Sequence, residues 1–387
     1  MQIFRALLTA LILSAAVLTF AADKRTYLLY VGTYTDDNGK STGSKGIYAY
    51  RYEADSGDIT SLGLAAETTN PSWIALSPNG RFLYAVNEVG NYKGPNSGGL
   101  SAFAIDHKTG KLTFLNEVPT RGADPCYATV DKTGKYVLVA NYTGGSVAVF
   151  PIREDGSLDE ASDFVQHTGH GPNPKRQEGP HAHSIDLSPD NRFAFVDDLG
   201  LDSLLSYKFD AIHGKLIPYA TMVTHFADGS GPRHFALHPS GNFAYVLAEM
   251  QSTVTTLDAD LPNGSFKAMQ FISTIPPDFK GQNDAAEVEV HPSGRFLFTS
   301  NRGHDSIIVF DIDPTNGRLK QHWMVTAQIK TPRGMEIDPT GRLLLVANQD
   351  RNNIVIFSLD ENTGAPTLTG KVLDVPSPVC IKFLKVE

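Results

Sequence analysis

From Pro71 to Gln349 the apolar and polar positions fall into one 18-residue arrangement that recurs six times without an internal gap. The stretches are PSWIALSPNGRFLYAVNE from Pro71, PCYATVDKTGKYVLVANY from Pro125 and AHSIDLSPDNRFAFVDDL from Ala182. PRHFALHPSGNFAYVLAE from Pro232, AAEVEVHPSGRFLFTSNR from Ala285 and PRGMEIDPTGRLLLVANQ from Pro332 follow. Position 6 is always aliphatic (Leu76, Val130, Leu187, Leu237, Val290, Ile337). Position 12 is aromatic or Leu, as is position 14 (Tyr84, Leu138, Phe195, Tyr245, Phe298, Leu345). Alternation of this kind predicts two half-buried strands. Between them stand Pro-Asn-Gly, Lys-Thr-Gly, Pro-Asp-Asn, Pro-Ser-Gly or Pro-Thr-Gly, with Gly or Asn where a tight turn needs a positive φ.

Each hairpin is followed by a third apolar run such as SVAVFPI, SIIVFDID or NIVIFSL, then a turn, often with glycine, and a fourth strand. Four strands per unit of about 50 residues is the pattern of a propeller blade. A seventh unit is split between the termini. Ser377–Phe383 matches the opening of a repeat, with Ile381 and Phe383 at positions 4 and 6. TYLLYVGTYT matches the second strand, with Tyr27 and Leu29 placed at positions 12 and 14, and GIYAYRY supplies the third. The fold predicted is all-β: a seven-bladed β-propeller closed by pairing of the C-terminal strand with the N-terminal blade. Closure removes the exposed sheet edges of an open array.

The first residues change where this propeller is expected to work. Arg5 precedes an apolar run from Ala6 to Phe20, and Thr19-Phe20-Ala21 is a fitting recognition site for cleavage before Ala22. Residues 1–21 therefore read as a secretory signal peptide and 22–387 as a single propeller domain. The run is shorter than a spanning helix needs, so the mature chain is expected to be periplasmic or secreted and without a membrane anchor. A net charge of -9 argues against nucleic acid as partner. The two cysteines, Cys126 and Cys380, fall in blades that are not neighbours and are expected to be free, partly buried thiols.

The candidate chemistry lies where the repeat stops repeating. The first two strands of a blade are antiparallel, so positions 1–3 and 17–18 meet at one mouth of the channel. Position 2 carries Ser72, Cys126, His183, Arg233, Ala286 and Arg333; position 3 carries Trp73, Tyr127, Ser184, His234, Glu287 and Gly334. Position 18 carries Glu88, Tyr142, Leu199, Glu249, Arg302 and Gln349, and Asn141 stands at position 17. Clustered ionisable groups on one ring point to a site, since isolated buried charges are costly. The segment QHTGHGPNPKRQEGPHAH, Gln166 to His183, is the longest strand-poor connection between blades and leads straight into position 2, as a lid or binding loop would. His181 and His183 share a face, but no Cys or carboxylate accompanies them at ligand spacing, so no metal or other cofactor is assigned.

GPHAHS, GPRHFALHPSGNFAYVLAE, SNRGHDSIIVF and TPRGMEIDPTGRLLLVANQ resemble the seven-bladed β-propeller lactonase family, which includes the propeller-type 6-phosphogluconolactonases and the carboxy-cis,cis-muconate cyclases. The resemblance runs from about Tyr27 to Val386. It implies that His183, Arg233, Glu249 and Arg302 line an active site, with Arg333, His234 and Gln349 as further contacts. His181, Glu287 and Asn141 are added as substrate contacts from their place at the same mouth. The implied reaction is hydrolysis of a lactone or acidic sugar lactone. Arginines would stabilise the developing oxyanion or hold a phosphate or carboxylate. Either His183 or Glu249 would serve as base and the other as acid. Export argues for an unphosphorylated sugar lactone such as gluconolactone over 6-phosphogluconolactone. A lactonising cyclase, and a non-catalytic propeller binding an acidic ligand or a partner protein, are the alternatives. A binding module would keep the arginines without needing His183 and Glu249 close together.

Overall fold

A computed structural model of the chain describes residues 25–37 and 39–386. The expected leader, residues 1–21, lies outside the described residues. Among the described residues, seven four-stranded antiparallel sheets follow one another, joined by turns, with two single 3₁₀ turns at Leu199–Leu201 and Gln349–Arg351. No helix among them is long and apolar enough to cross a membrane. The second blade holds Ile74–Leu76, Phe82–Asn87, Gly99–Ile105 and Leu112–Pro119; the fifth holds Pro232–Leu237, Phe243–Ala248, Thr253–Asp260 and Ser265–Ser273.

The first blade is completed from the C-terminus. Pro378–Lys385 pairs with Thr26–Thr33, which pairs with Gly46–Glu53 and that with Asp58–Glu67. The ring closes as expected, but one residue out of the expected register. Ile381 faces Val31 and Phe383 faces Leu29. In an intact hairpin position 4 faces position 15 and position 6 faces position 13, as Ile74 faces Ala85 and Leu76 faces Leu83. Leu28 and Tyr30, not Tyr27 and Leu29, therefore occupy positions 12 and 14. The physical reason is plain. A tight turn sets the register of the other hairpins; here no turn exists, and Leu28, Leu29, Tyr30 and Val31 are buried on both faces, so alternation cannot choose between registers.

The blades are held by the aromatic columns. Tyr30, Tyr84, Phe195, Tyr245 and Phe298 at position 14 are fully buried. Tyr84 and Tyr245 also donate to the carbonyls of Gly156 and Gly317 in the next blade, at 3.1 and 3.0 Å. These turn glycines are constrained twice. Gly317 has φ +69°, and a Cβ there would stand 2.4 Å from the ring of Phe243 at position 12. A polar fastener recurs at position 17: Asn87, Asn301 and Asn348 donate to the carbonyls of Thr69, Thr274 and Gln328, at 2.6, 2.7 and 2.9 Å. Both cysteines are free and buried.

Candidate active site

A break in the ladder turns the position-2 side chains into the channel. Pro125 pairs with Asn141 and Tyr127 with Ala140, leaving Cys126 with no residue opposite. The same irregularity isolates His183, Arg233, Arg333 and Val379. A bulge bends the strand and re-aims the extra residue. In five of the seven blades the repeat thus leaves one position-2 side chain unpaired, and the sequence varies it among Cys, His, Arg and Val.

These side chains open onto a cavity of about 230 Å³. His183 and Arg333 line it from position 2, with Cys126 beside them, and Glu88, Tyr142, Glu249 and Arg302 line it from position 18. Asp284, just before its repeat, and Arg176, from the long connection, complete the wall. Glu249 is the electrostatic centre. Arg302 Nη2 lies 2.8 Å from Oε2, Arg233 Nε lies 3.4 Å from the same oxygen, and Arg176 Nη2 donates to Oε1. Burial favours the protonated acid, but Arg302, Arg233 and Arg176 together hold Glu249 well below the usual carboxylate range. Arg302 is braced from behind by the carbonyls of Asp284 and Ala285, at 3.2 and 3.3 Å.

His183 sits against Arg233, whose Nη1 donates to its Nε2 and lies 3.3 Å from Nδ1. Burial first, then Arg233, His234 and Arg333, pushes His183 well below the ordinary histidine range, so its imidazole is neutral. Arg233, 2% exposed, is itself pushed down to about 10 by burial and by Arg302, against the pull of Glu249. Arg333 lies 5.2 Å over the ring of Tyr34 and makes no hydrogen bond among the described residues; Tyr34 donates to both oxygens of Glu88, at 2.9 and 2.8 Å.

Below this level the channel narrows. His234 Nδ1 lies 2.7 Å from Glu287 Oε1, and both residues are buried. They form the waist between the cavity and a second one, about 320 Å³, at the opposite mouth, which Glu287, Glu289, Glu336 and Lys382 help to line.

The structure brings His183, Arg233, Glu249, Arg302 and Arg333 together at one mouth. His234 and Glu287 lie one layer deeper. His181 stacks on Tyr142 at 4.6 Å and stands within 3.4 Å of Glu178, supporting the rim without lining the cavity. Two expected contacts are placed elsewhere. Asn141 is fully buried and its amide faces Thr120 O and Ser146 Oγ, at 3.4 and 3.1 Å, which is the position-17 fastener role. Gln349 opens a 3₁₀ turn and is not in the cavity wall. The long connection reaches the cavity wall through Arg176, and it is pinned: Gln177 is fully buried and donates to Leu199 O and Asp202 Oδ1, at 2.9 and 2.8 Å. Tyr34, Arg176 and Asp284 are additions. Tyr34 is the position-18 residue of the split blade, visible in the sequence once that blade is read in its true register. Arg176 and Asp284 belong to no column. Among the described residues no three His, Cys, Asp or Glu side chains are grouped to hold a metal ion.

Comparison with known proteins matches the sequence and fold of this chain to others. A family described as lactonase, 7-bladed beta-propeller, matches residues 28–383. The 6-phosphogluconolactonase of Bacillus subtilis is 38% identical over 358 residues, 92% of this chain and 98% of that one. A 6-phosphogluconolactonase of Formosa agariphila is 35% identical over 298 residues, covering 76% and 81%. The solved structure of the periplasmic gluconolactonase of Pseudomonas aeruginosa superposes with a TM-score of 0.85 at 32% identity, covering 93% of this chain and 99% of that one.

Proposed function

The chain belongs to the seven-bladed β-propeller lactonases, and from that premise we propose that it hydrolyses a sugar lactone in the cavity around His183, Arg233, Glu249 and Arg302, by acid–base chemistry without a metal or a covalent nucleophile. The observation that carries this reading is the contrast between the two candidate bases. Both oxygens of Glu249 are taken by arginines, whereas His183 is a neutral imidazole in the cavity wall. Their environments drive the two groups apart, which separates their roles. His183 takes the proton of the attacking water and returns it to the ring oxygen as the acyl–oxygen bond breaks. Arg233 and Arg302, held in place by Glu249, stabilise the oxyanion of the tetrahedral intermediate. A lactone carbonyl that recruits Arg233 also releases the Nε2 lone pair of His183 for the water.

The charge of the wall supports an anionic or strongly polar substrate. Four guanidinium groups (Arg176, Arg233, Arg302, Arg333) face three carboxylates (Glu88, Glu249, Asp284), which leaves one positive charge over. Arg333, without a hydrogen-bonded partner among the described residues, is the donor set placed for a substrate phosphate, carboxylate or hydroxyl. The apolar segment of residues 1–21 supports export to the periplasm or beyond. There an unphosphorylated aldonolactone such as gluconolactone is the substrate to expect, ahead of 6-phosphogluconolactone.

The test is initial-rate hydrolysis of both lactones by the chain from residue 22, read above the buffer blank. Hydrolysis of at least one, abolished by Arg233→Ala in a folded variant, supports the reading. A rate equal to the blank for both overturns it.

Two milder effects follow. Arg176→Ala removes one charge-assisted contact at a rim residue that is 35% exposed in its side chain. KM should rise about tenfold, with kcat changed much less; steady-state kinetics decide. The acid limb of the pH profile reports His183. Because its pKa is depressed in the folded protein, the base stays unprotonated as pH falls through the ordinary histidine range. kcat/KM should therefore hold level from neutrality to below about pH 6.5, and a limb centred at or above that value would contradict His183 as base.

A further inference from the structure

Between the cavity and the waist lies a hollow of about 10 Å³, close to the room one water needs. Its wall includes Ser72, His183, Arg233 and His234. Two buried polar atoms of that wall, Ser72 Oγ and His234 Nε2, have no hydrogen-bond partner among the described residues, and Arg233 Nε has there only its 3.4 Å ion pair with Glu249. Buried polar atoms are rarely left unpaired, and a bound water is the usual partner. The state of His234 is set from the other side. Glu287 Oε1 at 2.7 Å makes Nδ1 the donor, so Nε2 presents a lone pair. The rings of His183 and His234 are 5.2 Å apart, centre to centre. Glu287 in turn borders the cavity at the opposite mouth, where Glu289 and Glu336 stand near Lys382.

We propose that the hollow holds one water and that this water and the His234–Glu287 pair carry protons from His183 to the opposite mouth of the channel. The inference rests on the hydrolase reading, because each lactone opened yields an acid that ionises at neutral pH and leaves one proton behind in the site. The carboxylic acid formed on ring opening gives its proton to His183. The imidazolium gives a ring proton to the water, which passes one to His234 Nε2. His234 releases its Nδ1 proton to Glu287, Glu287 loses it to solvent, and His234 regains its Nδ1–H tautomer by proton exchange with water before the next turnover. The substrate mouth, with its surplus arginine, repels a departing proton; at the far mouth Glu287 and Glu336 stand beside one lysine, and burial and Glu336 push Glu289 well above the usual carboxylate range, so that side of the channel accommodates protons. His234 and Glu287 are then positioning and relay residues one layer below the substrate.

The experiment is kcat for gluconolactone or 6-phosphogluconolactone, whichever the wild type hydrolyses, at rising concentrations of an imidazole buffer, each rate corrected for the enzyme-free blank. For the wild type kcat is expected to be independent of buffer. For His234→Phe it should fall at least about tenfold at low buffer, with KM within about twofold, and climb back as imidazole replaces the missing relay. Glu287→Gln should show the same buffer response from a smaller loss, and it decides the matter if His234→Phe does not fold. An active wild type whose variant keeps full kcat, or loses kcat that imidazole does not restore, overturns the relay alone. A wild type inactive on both lactones overturns the relay together with the hydrolase reading.

Discussion

Glu249→Ala is expected to cost the folded protein about 3–5 kcal/mol and to abolish measurable turnover. The loss does not come from one hydrogen bond. Glu249 is the counter-ion shared by Arg302, Arg233 and Arg176. Its removal leaves Arg233 charged and buried beside Arg302, and Arg233 is strained toward deprotonation even with the carboxylate present. An unpaired buried charge is among the most damaging results of a single substitution. The arginines proposed to stabilise the oxyanion would lose their shared anchor at the same time. Glu249→Gln separates the two effects: the amide keeps the side-chain volume and one oxygen to accept from an arginine, while its NH2 cannot accept from the other, so stability should fall less than in the alanine variant while activity stays lost. Equilibrium unfolding in denaturant reads the first, initial rates the second.

The pH dependence of this effect has a definite sign. Glu249 has a folded pKa depressed below its unfolded value. Its contribution is therefore present above the ordinary glutamate range, about 4.3, and is lost as pH falls below it toward the folded value. The stability gap between wild type and Glu249→Gln should narrow as pH drops through that window. A gap that widened would mean that Glu249 is not the anchor of the arginines.

His183→Asn should leave the fold intact and lower kcat by about 10²–10⁴-fold, with KM changed only a few-fold. The asymmetry with Glu249 follows from charge. His183 is buried as a neutral ring, so an amide that can still accept from Arg233 leaves no bare charge behind, and thermal melting should shift little. What disappears is the proton acceptor beside Arg233. Retention of more than about a tenth of kcat would exclude His183 as the base, because a positioned base contributes at least about 10²-fold.

The blades were legible in the chain because each rests on short-range rules. Pro-Ser-Gly or Pro-Thr-Gly ties two strands at a set distance, and the aromatic columns fall on one face. The candidate site was legible as divergence outside those columns: His183, Arg233 and Arg333 at position 2 and Glu249 and Arg302 at position 18 stand where the repeat stops repeating. Asn141 was misread by the same logic. Its column is occupied by asparagine in four blades, and recurrence there marks a blade fastener. Tyr34 was missed because no turn sets the register of the split blade. Arg176 was inside a segment expected over the mouth, but nothing in that segment says which of its cations turns inward.

By itself the sequence determined the number of blades and the ring closure and singled out one charged mouth, because hairpin geometry and side-chain alternation act over a few residues; the charged groups of the opposite mouth, Glu289, Glu336 and Lys382, it did not single out. Only the tertiary structure decided which groups meet. Bulges at position 2 turn Arg233 and His183 toward one another, three arginines from separate parts of the chain converge on Glu249, and His234 and Glu287 fall one layer below. Apart from Arg233 and Glu249, which belong to one hairpin, these groups meet across 50 or more positions, and the ring that sets their spacing is formed only when the last strand pairs with the first.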